Sequence, residues 1–287
     1  FIGYIYRIID ISDPRHPVEA GRWWNPGQFL GNQTKATQEK NIHGWNGFDT
    51  YPGYVHFPFA DTDRNLTYIS CVGAGFKILD ISNPQVPQVL GEVQMTPPFA
   101  TKFGGALCHT FMPILGTNYA VGMQEGERFW CYSKEIHDKF GTQAMCGIEM
   151  FDVSDPTDPV MIAVFPYPEV PENFPYKNFN YCGMDYPGPL GPHNLHEPMS
   201  HKPWLENRKD RVYDSYFHAG LRVYDVSDPF VPKEIAYFIP PNPEKPLWEL
   251  EMANKPLGTA EDVVVDDRGY IYLNTMHDGV YILKSLV

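Results

Sequence analysis

The stretch RVYDVSDPFVPKEIAYF, residues 222–238, is repeated along the chain and decides its fold. The same pattern occurs at 7–23, 77–93 and 149–165, and a truncated fifth copy, GVYILK, occupies 279–284. In each full copy, β-branched and aromatic residues alternate on both sides of a turn that contains Asp-Pro or Asn-Pro. Each full copy therefore predicts two antiparallel strands joined by a turn, because proline cannot donate to a sheet ladder.

The spacing of the copies predicts how they assemble. The repeated aspartate recurs at intervals of about 70 residues, at Asp10, Asp80, Asp152 and Asp225. This interval is long for a solenoid and suits a propeller blade with insertions. Most copies are preceded by another alternating hairpin, such as DVVVDDRGYIYL at 262–273.

A blade is therefore predicted as four antiparallel strands, A to D, with each copy supplying strands C and D. One such sheet cannot bury both of its faces alone, so the blades must pack around a common axis. The predicted fold is an all-β propeller of four-stranded antiparallel blades.

The copies also set a lower limit on the number of blades. Five C strands predict at least five blades, or seven if residues precede Phe1. We expect such residues, because the first blade lacks strand A and the last lacks strand D. Residues 1–287 are predicted as a single propeller domain. Insertions without the repeat pattern lie at 24–53, 95–105, 124–145 and 167–192.

The repeat motifs are similar to those of a known family. IIDISDP, ILDISNP, MFDVSDP and VYDVSDP, each followed by a proline three positions on, resemble the LVIVD-repeat family of β-propellers. The resemblance implies the propeller fold. It implies little about function, because repeats of this kind serve enzymes and binding proteins alike.

Composition excludes several classes of protein. The formal charge of −13 argues against binding to nucleic acid or to an anionic membrane surface. No apolar run approaches the roughly 20 residues that span a bilayer. The five cysteines are odd in number and form no CxxC pair, which argues against a disulfide framework. We predict a soluble protein and leave its compartment open.

Histidines and carboxylates cluster at one end of the predicted propeller. In a four-stranded blade, the start of strand A and the B–C turn lie at the same end, opposite the Asp-Pro turns. The residues at predicted strand-A starts are His56, His109, His193, His196, Glu261 and Asp262. His218 and His277 lie in B–C turns at this same end, farther from the axis.

Imidazoles that converge from separate blades predict a metal site. We assign His56, His109 and His196 as ligands, with Fe(II) or Cu favoured and Zn as the alternative, because neutral nitrogen ligands suit all three metals. His196 is preferred over His193 because the residues after it start the strand. Carotenoid-oxygenase propellers hold iron through histidines of different blades, and the selenium-binding/methanethiol-oxidase propellers are similar in architecture. Neither family shows a sequence match.

The remaining polar residues are assigned to proton transfer. His193 and Glu261 are predicted to handle protons at the metal site. Glu261 and Asp262 have an alternative role, which is to bond the backbone of turns.

The insertions suggest the ligand. RWWNPGQF, IHGWNGFDTYPGY and YPEVPENFPYKNFNYCGMDYP are crowded with aromatic residues and enter at the same end as the histidines. They predict an aromatic-walled pocket for a small apolar or aromatic molecule, with Trp45, Tyr54, His218 and His277 in contact with it. The alternative is that the insertions cover blade tops or form a homo-oligomer contact.

The leading hypothesis is therefore a metal-dependent oxidoreductase that acts on a small apolar or aromatic substrate at the central mouth. Metal-assisted hydrolysis or lyase chemistry fits the same ligands. A non-catalytic propeller that binds a protein partner through its aromatic insertions is the third reading.

Overall fold

The computed structural model describes residues 3–29, 31, 53–96, 99, 108–125, 146–169, 171–173, 191–245, 247 and 258–285. The four insertions defined from the sequence lie largely outside these residues, and so does Trp45. Within the described part of the chain, no helix has the length and apolar character needed to cross a bilayer.

The strands of the described residues form five antiparallel sheets, which we call blades 1 to 5 in chain order. Blade 1 consists of β1 (Tyr6–Asp10) and β2 (Val18–Trp23). Blade 2 consists of β3 (Tyr54–Asp61), β4 (Leu66–Val72), β5 (Gly75–Asp80) and β6 (Gln88–Val93). Blade 3 consists of β7 (Cys108–Pro113), β8 (Tyr119–Gln124), β9 (Ile148–Asp152) and β10 (Val160–Val164).

Blade 4 consists of β11 (Asn194–Leu195), β12 (Arg211–Ser215), β13 (Leu221–Asp225) and β14 (Lys233–Phe238). Blade 5 consists of β15 (Ala260–Val265), β16 (Tyr270–Thr275) and β17 (Gly279–Lys284). Blades 2, 3 and 4 have the predicted four strands in the order A-B-C-D. Among the described residues, blade 1 has only strands C and D, and blade 5 has strands A to C. The predicted all-β propeller is confirmed.

Apolar side chains from successive blades make the core. Between blades 2 and 3, the rings of Phe76 and Phe111 stack at 4.9 Å, and Phe151 meets both edge-on at 5.6 and 5.4 Å. Gly122 lies against these rings, where a Cβ would come within 2.8 Å of Phe151 and 2.9 Å of Phe76. This close approach explains the glycine in an otherwise apolar strand.

The D strands pack against the repeat turn of the next blade. A Cβ on Gly21 of β2 would lie 1.7 Å from the carbonyl oxygen of Pro84 in blade 2. A Cβ on Gly91 of β6 would lie 2.4 Å from the carbonyl oxygen of Pro156 in blade 3. The small residue at this position of the repeat is therefore a requirement of blade packing.

The repeat aspartates build the C–D turns. The first carboxylate of each turn accepts the backbone N–H two residues on, with distances of 2.8 Å at Asp10, 2.7 Å at Asp80, 2.9 Å at Asp152 and 2.9 Å at Asp225. The Asp or Asn before proline accepts a second N–H in the same way, for example Arg15 N–H to Asp13 at 3.1 Å. These aspartates are architectural, as turn chemistry requires.

The described cysteines are Cys71, Cys108 and Cys146, and all three are buried free thiols.

Candidate functional site

Strand A of successive blades places one polar side chain at an equivalent position. In β3 and β7 the pairing register shifts at His56 and at His109, and in β15 it shifts at Glu261. Such a bulge turns the side chain away from the regular alternation. In blade 4 the equivalent residue is His193, whose N–H donates to Ser215 O at 3.0 Å directly before the Asn194–Ser215 pair. The innermost strands of blades 2 to 5 therefore present three imidazoles and one carboxylate.

The three imidazoles are in contact with one another. The ring centroids of His56 and His109 are 4.1 Å apart, and those of His109 and His193 are 4.6 Å apart. His56 is exposed, whereas His109 and His193 are buried. The site thus opens to solvent on the His56 side and is closed beneath His109.

A carboxylate directly after strand B of blade 3 completes a group that can hold a metal ion. Ligand atoms of His56, His109 and Glu125 all lie within 4.8 Å of one another. Shifts of less than about 1 Å would bring them to the 2.0–2.2 Å bond lengths that nitrogen and oxygen ligands make to zinc. The nature of the donor set therefore fits a divalent transition metal.

Glu125 was missed by sequence reasoning because it was counted as the start of an insertion. It directly follows β8, so it lies at the B–C end of blade 3, at the same end as the strand-A starts. A signal was present: His218 and His277 follow strand B of blades 4 and 5 in the same way.

The surroundings of the three imidazoles disfavour their charged forms. Desolvation lowers the pKa of His56, and it lowers the pKa of His109 well below the ordinary value, with the neighbouring His56 and His193 adding to the effect. Desolvation lowers the pKa of His193 to about 4. Neutral imidazoles have the lone pair that a metal ion requires.

His193 is held in one orientation. Its Nδ1 donates to the backbone oxygen of Glu261 at 2.7 Å, which leaves Nε2 unprotonated, 3.7 Å from Glu125 Oε1. Phe217 stacks on the ring at 4.5 Å, and its own backbone has a φ of 36°, which is unusual for a bulky residue. A strained residue that fixes an imidazole is typical of a functional site.

His196 requires a correction of the predicted ligand set. Its Nε2 donates to Glu206 O at 2.8 Å, and its Nδ1 accepts the Val265 N–H at 3.1 Å. Both ring nitrogens are therefore engaged by backbone, so the structure does not bring His196 together with His56 and His109. His193 and His196 flank the two-residue strand β11, and residues three apart in an extended strand point to opposite sides.

The comparisons with known proteins identify the repeat. Residues 6–24 and 64–95 match the LVIVD repeat. The matched segments contain β1 and β2 of blade 1 and β4 to β6 of blade 2. No curated protein sequence matches the chain.

The solved structures to which this chain is similar share little sequence identity with it. The β-propeller domain of Cps50 (Swd1) from Myceliophteria thermophila has a TM-score of 0.50 and 8% identity, covering 94% of this chain. The chain spans only 61% of that domain. The designed protein Ika4 has a TM-score of 0.43 at 7% identity, covering 84% of this chain and 94% of that one.

A hypothetical selenium-binding protein from Sulfolobus tokodaii has a TM-score of 0.38 at 13% identity, covering 96% of this chain and 65% of that one. At these identities, the Cps50 likeness shows the fold alone.

The other predicted site residues occupy varied places in the blades. Tyr54 is half-buried and meets Tyr4 edge-on at 5.6 Å. His218 and His277 are buried in the B–C turns of blades 4 and 5. Asp262 accepts the N–H of Val263 at 2.8 Å, which agrees with the backbone-bonding alternative for one member of the Glu261–Asp262 pair.

Hydroxyl groups join the strand-A positions of successive blades. Ser70 Oγ of blade 2 donates to the backbone oxygen of His109, and Ser215 Oγ of blade 4 donates to that of Glu261 at 3.0 Å. Ser70 Oγ also accepts the N–H of Phe57 at 3.0 Å. Ser70 therefore joins the backbone beside His56 to the backbone of His109.

We expect Ser70→Ala to weaken metal binding roughly tenfold, because loss of groups that orient ligands typically costs 10- to 100-fold in affinity. Metal titration of the purified variant measures this. Thr117→Val is the matched control: Thr117 Oγ1 donates to Ile114 O at 2.7 Å and accepts the Tyr119 N–H at 3.1 Å in the A–B turn of blade 3, at the opposite end of the propeller. Both variants should lose about 1–2 kcal/mol of stability. Equal metal affinity in the two would show that Ser70 has only a packing role.

Proposed function

We propose that this protein is a metal-dependent enzyme, an oxidoreductase that acts on a small apolar or aromatic molecule at the central mouth of the propeller. The observation that carries the proposal is the set of two imidazoles and one carboxylate, His56, His109 and Glu125, with ligand atoms within 4.8 Å of one another. Two histidines and one carboxylate with open positions are the ligand pattern of non-haem Fe(II) oxygenases.

The donor set orders the candidate metals. Fe(II) is favoured, since the mixed nitrogen and oxygen ligands match the facial triad. Copper is the second candidate because three imidazoles are in contact in the same cluster. A bound Fe(II) or Cu would supply the redox chemistry that these side chains lack.

Zinc supports the second candidate function, which is metal-assisted hydrolysis or lyase chemistry. Two histidines and a glutamate are also a catalytic zinc set when one position stays open. The same three residues support both candidate functions. The identity of the bound metal and the reaction catalysed therefore distinguish an oxidoreductase from a hydrolase or lyase.

His193 and Glu261 have supporting roles in the proposed enzyme. His193 presents an unprotonated Nε2 beside Glu125, where it can accept a hydrogen bond or a proton from a bound molecule. The Glu261 backbone oxygen holds the opposite ring nitrogen, and Glu261 Oε2 lies 3.8 Å from that nitrogen. The pair thus keeps one tautomer of His193 aimed at the site.

Metal analysis of the purified protein tests the proposal. We expect about one Fe(II), Cu or Zn ion per chain after anaerobic reconstitution, and loss of most of it in the double variant His56→Ala/His109→Ala. The matched control is His16→Ala/His201→Ala, because it removes two exposed histidines. Oxygen consumption with uncharged aromatic compounds then separates an oxidoreductase from a zinc hydrolase.

A folded wild-type protein that binds none of the three metals would overturn the proposal. That result would leave a non-catalytic propeller that binds a protein partner or a second copy through its aromatic insertions.

A further inference from the structure

The proposed ligand Glu125 lies at the start of a long connection between strands. In blade 2, strands B and C are joined by residues 73–74, and in blade 5 by residues 276–278. In blade 3, the connection from β8 to β9 runs from residue 125 to residue 147. A short turn fixes the geometry of its residues, whereas a connection of this length restrains its ends only weakly. The direction of the Glu125 side chain therefore depends on the bonds that hold the end of β8.

Gln124, the last residue of β8, is bonded to both neighbouring strands of the blade. On one side it pairs with Cys108 of strand A, which directly precedes the proposed ligand His109. On the other side its backbone N–H donates to the Gly147 carbonyl at 3.1 Å, and its side-chain oxygen accepts the Gly147 N–H at 3.2 Å. Gln124 thus joins strand A to the start of strand C one residue before Glu125.

A buried acid binds the remaining polar group of the Gln124 side chain. The side-chain amide of Gln124 donates to Glu149 Oε2 at 2.9 Å, and both side chains are fully buried. A Cβ on Gly147 would lie 3.3 Å from Glu149 Oε1, so the glycine leaves room for the carboxyl. Burial raises the pKa of Glu149 to about 8, so the carboxyl is mostly protonated at pH 7. Burying a carboxyl costs free energy, which favours a role for it that an apolar side chain would not fill.

We infer that Gln124 and Glu149 are positioning residues that hold the Glu125 carboxylate toward the imidazoles of the site. The inference rests on the proposed function, because it concerns a ligand of the proposed metal. Groups that orient a ligand reduce the conformational freedom that it loses when the metal binds. Glu125 Oε1 lies 3.7 Å from His193 Nε2, so the position of the carboxylate can also be measured in the absence of metal.

The first measurement uses metal-free protein labelled with ¹⁵N-histidine at pH 7. The Nε2 signal of His193 responds to the carboxylate beside it, and Glu125→Gln defines the signal expected without that charge. Glu149→Leu should move the signal toward the Glu125→Gln value, because Gln124 loses its partner. Glu149→Gln should retain the wild-type signal, since its amide oxygen still accepts from Gln124. Gln124→Met removes the same bond from the other partner and replaces Glu149→Leu if that variant does not fold.

The second measurement is a Co(II) titration of the same variants. Glu149→Leu should bind cobalt roughly tenfold more weakly than the wild type, and Glu149→Gln should bind it equally well. Phe151→Leu is the matched control, because Phe151 is buried on the same strand and its ring packs against Phe76 and Phe111. This control loses apolar packing and keeps the bond between Gln124 and Glu149, so its cobalt affinity should equal that of the wild type.

The two measurements separate this inference from the proposed function. If the wild type binds no cobalt but the His193 signal moves in Glu149→Leu and not in Glu149→Gln, the metal proposal alone fails. If the wild type binds cobalt while Glu149→Leu keeps both the affinity and the signal, the positioning role is overturned and the metal proposal stands. Equal changes in Glu149→Leu and Glu149→Gln, or in Glu149→Leu and Phe151→Leu, would also overturn the positioning role.

Discussion

Replacing His109 by alanine is expected to lower metal affinity by at least about 100-fold, whereas replacing His196 should leave metal affinity unchanged. His109 is buried, uncharged and in ring contact with both His56 and His193. Loss of a direct ligand should exceed the 10- to 100-fold that loss of an outer partner costs. Metal titration of the two variants, monitored by Co(II) absorption and by metal content, measures the difference.

His196→Ala should act on stability instead. Removing its ring leaves the Val265 N–H and the Glu206 carbonyl without their partner inside the protein. Each buried group left unsatisfied costs about 1–3 kcal/mol, so the free energy of unfolding should fall by several kcal/mol. His196→Asn, which can restore one bond, should recover part of the loss. Metal loss in His196→Ala at full stability would restore His196 to the ligand set and contradict the structure.

The second large effect concerns Glu149, whose side chain is wholly buried in blade 3. Burial raises its pKa from the ordinary 4.5 to about 8, although the side-chain amide of Gln124 donates to it at 2.9 Å. The folded protein therefore holds a proton that the unfolded chain releases between about pH 4.5 and 8. The protonated carboxyl therefore makes its full contribution to the free energy of unfolding below about pH 4.5. This contribution declines by up to about 1.4 kcal/mol per pH unit as the pH rises, and it is lost above about pH 8.

Glu149→Gln should remove this decline, because the amide mimics the protonated acid and has no proton to lose. Urea unfolding at pH 6 and pH 8, with EDTA present to remove metal, measures the free energy of unfolding of both proteins. The difference between variant and wild type should shift in favour of the variant by about 2–3 kcal/mol from pH 6 to pH 8. The control is Glu172→Gln, at an exposed glutamate. Parallel pH profiles for the wild type and Glu149→Gln would mean that Glu149 is ionised in the folded protein.

Most of the fold could be predicted because its signals are local. Alternation of apolar residues specifies strands, and the Asp-Pro turn specifies where each C strand ends. Recurrence at about 70 residues then requires separate sheets that pack on one another. Topology alone predicts the end of the propeller at which the histidines gather, and the structure brings His56 and His109 into ring contact.

The site itself was predicted less completely, for two physical reasons. Register across a sheet depends on partners distant in sequence, and β11 is only two residues long, so spacing could not distinguish His193 from His196. Glu125 lies where a strand passes into an insertion, and no local pattern shows which way such a residue points.

The sequence by itself determined the strands, the turns, the blade repeat and the end at which polar residues gather, because each follows from neighbours along the chain. Only the tertiary structure decided which side chains meet. His193 was separated from His196 by the pairing of Ser215 with Asn194, and Glu125 was brought to His56 by the packing of blade 3 on blade 2. Contacts between blades join residues tens of positions apart, and their distances are set by packing, which a one-dimensional pattern does not record.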